Sequence, residues 1–187
     1  MLLHKSLNID NFDQIQDYFK SLQLFSDVDK NNQLVTKTFS KDEIFQCEPL
    51  ADFILKNNLE LDIARFLYTR AHSSVPIHVD GSSTKSRILA VNFPIEGCEN
   101  TQMIWWDNVN LIENKNISPT YGDNYGSAVS LFDGKNKTII ESIELTRPTI
   151  VRIDQPHSVN NNNDYYRLIL SLRFTPEPLH LWPDSII

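Results

Sequence analysis

Cysteine is scarce: 187 residues contain only Cys47 and Cys98. Two thiols this far apart make neither a disulfide framework nor a thiolate metal cluster, so a reduced, cytoplasmic setting with structural thiols is the simpler reading. No apolar run is long enough to span a bilayer, and no N-terminal stretch runs from basic to apolar in the manner of a secretion signal, so no membrane association is expected. The Asn-x-Ser/Thr triplets at Asn116 and Asn136 carry no weight in so Asn-rich a chain without such a signal. Positive charge is also short. The 17 Lys and Arg face 24 Asp and Glu, a formal net charge of −7. That argues against a general nucleic-acid surface, while leaving room for a local basic groove. Internal repeats and convincing linkers are absent. What is present, 41% hydrophobic residues, suffices for one globular domain with a real core.

The hydrophobic period changes once along the chain. Ile9, Phe12, Ile15, Tyr18 or Phe19, and Leu22 recur at helical spacing and predict an amphipathic helix over 10–24. Gln33 to Phe39 alternates like a strand. Ser40-Lys41-Asp42-Glu43 has capping-box form and predicts a second helix to about Asn57, interrupted or not at Pro49. From Leu59 onward the signals are short strands over 63–70, 77–80, 87–93, 101–106, 128–132, 138–145, 149–153 and 165–174. Clusters of Gly, Pro, Asn and Asp separate them, as in a sandwich or barrel. The reading is a single domain over 1–187, with helical support in 1–58 and a β-barrel core in 59–187. Residues 107–127 are polar and lack a period, which reads as a lid, a binding loop or disorder. The run Asn160–Asp164 reads as a hairpin turn.

Three residues in this β-region have metal-ligand character. His78 and Asp80 are two apart, so on a strand they project from the same face. His157 lies far enough along for several strands to intervene and bring it back beside them. Two histidines and a carboxylate on one side of an octahedral ion leave positions open, the arrangement that suits non-haem Fe(II) oxygenases. Arg167 follows His157 by ten residues. Its planar fork could hold a carboxylate through two parallel hydrogen bonds. In Tyr165–Phe174, Arg167, Ile169, Ser171 and Arg173 share one face, while Leu168, Leu170, Leu172 and Phe174 share the other. A polar face turned into a barrel needs a polar partner, and a bound dicarboxylate would be one. Arg173 is the other candidate for that carboxylate. Taken alone, His78 and Asp80 read equally as turn residues, Arg87 as a solvated strand start and Ser171 as a small interior filler. Trp105 and Trp106 point to opposite faces if they lie on a strand, so at most one lines a pocket.

Ile77-His78-Val79-Asp80-Gly81, Pro156-His157-Ser158-Val159 and Tyr166-Arg167-Leu168-Ile169-Leu170-Ser171 together resemble the 2-oxoglutarate- and Fe(II)-dependent oxygenase superfamily, over about residues 63–175. The resemblance implies a double-stranded β-helix, or jelly roll, of cupin-like form. It implies Fe(II) held by His78, Asp80 and His157, with 2-oxoglutarate anchored by Arg167 and O₂ as oxidant. The implied activity is hydroxylation of a peptide side chain or small molecule. Arg87, nine residues after His78 and leading into Ile-Leu-Ala-Val-Asn-Phe-Pro, resembles the aspartyl/asparaginyl β-hydroxylase branch, where an arginine here also contacts the co-substrate. That branch usually lacks the carboxylate ligand, so Asp80 is a departure from it. Many relatives carry a serine two residues after the arginine; here Ile169 stands there and Ser171 comes two later. Other cupins generally need a His-x-His pair, which this chain does not have. A jelly-roll binding module without a working iron site is the competing expectation.

Overall fold

Strand alternation, not helix propensity, organises this chain, and the helices serve to cover one sheet. The computed structural model describes residues 1–25, 34–82, 85–86, 88–117, 127–133 and 135–182. In chain order the elements are β1 (His4–Ser6), α1 (Phe12–Ser21), β2 (Leu34–Phe39), α2 (Lys41–Phe45), α3 (Glu48–Lys56), β3 (Leu61–Thr69), β4 (Ser73–Ser82) and β5 (Lys85–Ser86). They continue with β6 (Leu89–Glu96), β7 (Thr101–Asp107), β8 (Asn110–Ile117), β9 (Ser127–Asp133), β10 (Thr138–Ile143), β11 (Thr149–Arg152), β12 (His157–Asn161) and β13 (Arg167–Phe174). A 3₁₀ turn follows at Leu179–Leu181.

Two antiparallel sheets result. One has the order β1-β11-β6-β13-β3-β2, the other β10-β7-β12-β4-β9-β8, with β5 paired to β4. Of the central four strands of the first (β11, β6, β13, β3) and four of the second (β10, β7, β12, β4), successive ones change sheet at every step along the chain except β7 to β10, which pair within the second sheet; this is jelly-roll winding. The segment 1–58 is not purely helical support. Its strands β1 and β2 form the two edges of the six-stranded sheet.

The outer face of the six-stranded sheet carries Phe66, Phe93, Leu168, Leu170, Leu172 and Phe174, and the helices lay Ile15, Phe19, Ile44, Leu50 and Ile54 on it. Phe19 meets Phe39 and Phe66 at ring-centre distances of 6.4 and 5.1 Å. The capping box forms. Ser40 N–H donates to Glu43 Oε2 at 2.8 Å, and Glu43 N–H donates to Ser40 Oγ at 3.2 Å. The chain breaks its helix at Gln46 and Cys47, ahead of Pro49, so the proline falls in the first turn of α3, where its missing N–H costs nothing. Between the sheets lie Ala90, Met103, Trp105, Val151, Ile153 and Ile169. Trp106 turns to the opposite face with Ile77 and Ile104, as alternation requires.

The stretch 107–127 departs from its reading as a loop. Residues 110–117 form β8, which pairs with β9 as a two-stranded arm on the edge of the seven-stranded sheet. The sequence Asn-Leu-Ile-Glu-Asn-Lys-Asn-Ile has no apolar–polar alternation to signal a strand. Residues 118–126 lie outside the described residues.

The far end of the barrel is tied by asparagines. Asn161 Nδ2 contacts the carbonyls of Thr69 (3.2 Å), Arg70 (3.0 Å) and Tyr165 (2.9 Å). Asn163 Nδ2 donates to Gly97 O and Glu99 O. The polar run expected to be a hairpin turn is instead a fastening between sheets: β12 and β13, which it joins, lie in different sheets and do not pair. Gly97 sits within it at φ +64°, and a Cβ there would collide with the Tyr166 carbonyl and crowd the Tyr165 ring. Gly97→Ala should destabilise the fold by about 2 kcal/mol or more, from left-handed strain plus displacement of the start of β13. Equilibrium denaturation would measure it, and a loss under about 0.5 kcal/mol, the level of an ordinary surface change, would refute it.

Candidate metal centre

Pairing of β12 with β4 places His157 directly opposite His78. The ladder slips by one residue between His157 and Val159, which makes a bulge in β4 at Pro76–Ile77. Proline has no ladder N–H to offer, so a bulge is where a central strand can take it. The Pro76 carbonyl then accepts from His78 Nδ1 at 2.8 Å, and the Gln155 carbonyl accepts from His157 Nδ1 at 2.9 Å. A carbonyl only accepts, so both Nδ1 atoms carry a proton, which leaves Nε2 of each ring as the atom that can face an ion, that of His78 in exchange for the proton it shares with Asp80. Fixing the tautomer and ring in this way is how metal-binding histidines are held.

His78, Asp80 and His157 each offer a ligand atom, and these atoms lie within 4.8 Å of one another. The imidazole rings are 4.3 Å apart, and Asp80 Oδ1 is 3.5 Å from His78 Nε2. Asp80 N–H donates to Ile153 O at 3.0 Å, tying the end of β4 to the segment that leads into His157. Two imidazoles, each neutral once it ligates, and one carboxylate make a donor set that fits a divalent first-row ion, and Fe(II) is among those it suits.

Charge is divided unevenly. Burial and the neighbouring His78 push His157 down to about 4, so it is neutral near pH 7. Burial also disfavours charge on His78, but its hydrogen bond and attraction to Asp80 prevail and leave it above its usual value. Burial works against ionised Asp80 too, yet the His78 hydrogen bond and the Arg173 guanidinium hold it well below the usual carboxylate range. The shifts oppose because His78 has the Asp80 carboxylate as its partner while His157 is buried without one of its own and beside His78.

The inner face of β13 carries Arg167, Ile169, Ser171 and Arg173, as alternation predicts. Arg167 is only 3% exposed, has no hydrogen-bond or ion-pair partner among the described residues, and its Nε is buried and unsatisfied. Burial lowers its pKa, and only the Cys98 thiol nearby offsets this. Its cross-strand neighbour is Thr69, whose buried Oγ1 is likewise without a partner. A guanidinium and a hydroxyl left unpaired side by side are what a carboxylate would complete. Thr69 escaped the sequence reading; its only signal was its place at the end of a strand that pairs with Arg167, and that register is not visible in one dimension.

Ser171 is occupied otherwise. Its Oγ donates to Asn92 Oδ1 and accepts from Arg173 Nη1, so it braces Arg173, two residues on, and stands four residues from Arg167. Arg173 Nη2 reaches Asp80 Oδ2 at 2.7 Å, which puts Arg173 beside the three ligands. Arg87 lies outside the described residues. Tyr68 points outward and stacks on Tyr166, away from the interior. Trp105 is buried inside and donates to Arg152 O, while Trp106 donates to Ser158 Oγ. His4 is partly buried, stacks on Trp105 and bonds Glu141.

No protein-family model matches the chain, and no curated protein matches it. Among solved structures it is similar to vicilin from Corylus avellana (hazelnut), at 10% identity and a TM-score of 0.36. That match covers 78% of this chain, which spans 30% of the vicilin chain.

Cys98 gives a direct check on how closed the Arg167 end is. Burial pushes its thiol up to about 11 against the pull of Arg167. At pH 8 roughly one thiol in a thousand would then be thiolate, the reactive form. The raised value also stabilises the fold below the ordinary thiol range, and that contribution should fade as pH climbs from about 9 toward 11. A disulfide thiol reagent at pH 8 should label Cys98 only after denaturation. Labelling within seconds in the folded protein would mean that this end of the barrel is open.

Proposed function

We propose that the protein is an Fe(II)- and 2-oxoglutarate-dependent dioxygenase that hydroxylates a peptide side chain or a small molecule. One observation carries the reading. Two histidines whose Nδ1 atoms are held by backbone carbonyls, and one carboxylate, come together across the paired strands β4 and β12. When bound, the metal would supply O₂ activation coupled to oxidative decarboxylation of 2-oxoglutarate. The remaining work belongs to the chain. His78, Asp80 and His157 hold the ion. Arg167 offers its fork to the distal carboxylate, and Thr69 Oγ1 is placed to donate beside it. Ile169, Leu67 and Trp105 belong to one apolar core cluster, surroundings that would limit water. Two free, buried cysteines fit a reducing, cytoplasmic setting. No helix among the described residues is long and apolar enough to cross a membrane.

Anaerobic Fe(II) with 2-oxoglutarate should give a weak visible charge-transfer band, and oxygen should then yield succinate. Neither would be seen in a binding module, and their joint absence would establish that alternative. A panel of peptides and small molecules, scored by succinate release, would identify the primary substrate. His157→Ala should abolish metal-dependent decarboxylation while circular dichroism keeps the native fold; wild-type turnover would disprove its ligand role. Asp80→Ala with retained turnover would place the chain with oxygenases that need no carboxylate ligand. Arg167→Lys keeps the charge but loses the planar fork. It should raise the 2-oxoglutarate concentration for half-maximal rate about tenfold or more and leave Fe(II) affinity nearly unchanged, since a lost charge-assisted hydrogen bond costs ~1.5–3 kcal/mol. An unchanged requirement would remove Arg167 from the co-substrate site.

A further inference from the structure

Asp80 divides its two oxygens between different neighbours. Oδ1 lies 3.5 Å from His78 Nε2, on the side where the ligand atoms gather. Oδ2 accepts from Arg173 Nη2 at 2.7 Å. Arg173 is itself held from behind. Its Nη1 donates to Ser171 Oγ at 2.6 Å, and Ser171 donates in turn to Asn92 Oδ1. Asn92 and Ser171 face each other across β6 and β13, both buried, so the last link rests on the sheet itself and not on a mobile side chain. Arg173 and Asp80 come from different sheets, yet both side chains are mostly enclosed, at 13% and 27% exposure. An ion pair in such surroundings keeps a defined geometry better than an exposed one.

Resting on the metal reading above, we propose that Arg173 is a positioning residue for the metal centre, which occupies Oδ2 so that Asp80 presents Oδ1 alone to the ion. A carboxylate free at both oxygens can turn and clasp a metal through both. Held at one oxygen, it fills one position and leaves the others to co-substrate and oxygen. The Asn92–Ser171–Arg173 chain transmits the rigidity of the six-stranded sheet to a ligand carried by the other sheet. It also gives Ser171 a purpose separate from the co-substrate: it aims Arg173.

The test is anaerobic titration of metal-free protein with Co(II), whose visible bands report coordination number, beside the variants Arg173→Met, Arg173→Lys and Ser171→Ala. Outer partners of metal ligands typically contribute ~10–100-fold to affinity or activity. Arg173→Met, which keeps length but has no donor, should weaken Co(II) binding about tenfold or more and alter the band pattern. Arg173→Lys retains a cationic donor and should fall between it and wild type. Ser171→Ala removes the brace and should shift the spectrum in the same direction by less. If Arg173→Met does not fold, the other two variants carry the test. Wild-type affinity and spectrum in Arg173→Met, or in both remaining variants, would overturn the positioning role while leaving the metal reading standing. Failure of the wild-type protein to bind Co(II) would overturn both.

Discussion

Everything at the centre depends on the register of one antiparallel pair, β12 on β4. His157 stands opposite His78 because the strands meet in that phase and no other. Side chains in a strand alternate, so a slip of one residue would turn His157 out of the barrel and bring Ser158 in. Several contacts oppose that slip. Ser158 on the outer face accepts from Trp106, whereas Trp105 fills the interior beside His157. Asn161 at the other end of β12 fastens three carbonyls. The bulge at Pro76 then sets where His78 points.

The interior of β13 shows how a jelly roll accommodates charge that its core cannot otherwise tolerate. Arg173, at one end, has Asp80 and Ser171. Arg167, at the other, has neither an acid nor a carbonyl among the described residues, and the adjacent Thr69 hydroxyl is equally bare. Burying an unpaired guanidinium is costly, and native proteins rarely leave such groups without a reason. The two arginines are chemically alike but sit in opposite states, one satisfied within the fold and one not. That contrast, more than their shared face, is what distinguishes the two arginines.

Much of this was legible in the chain. Period two placed the two faces of β13 and the opposite orientations of Trp105 and Trp106. Ser40 and Glu43 announced α2. The spacing His78-x-Asp80 put both on one face of a strand wherever that strand lay. Other features left no readable trace. The strand β8 was missed because its sequence does not alternate between apolar and polar residues. The asparagine run looked like a plain turn because amide side chains give the same signal whether solvated or locked onto carbonyls.

What the sequence by itself determined is local: which residues share a face, where helices start, and which side chains have the donor chemistry for a metal or a carboxylate. These follow from backbone periodicity and from covalent structure, which need no partner strand. Only the tertiary structure decided which faces meet. It brought His157 to His78, gave Asp80 an arginine for one oxygen, engaged Ser171 with Asn92, and left Arg167 beside Thr69 without a counter-charge. Each of these is a pairing between residues distant in the chain, and pairing is set by sheet register and packing, which no single strand encodes.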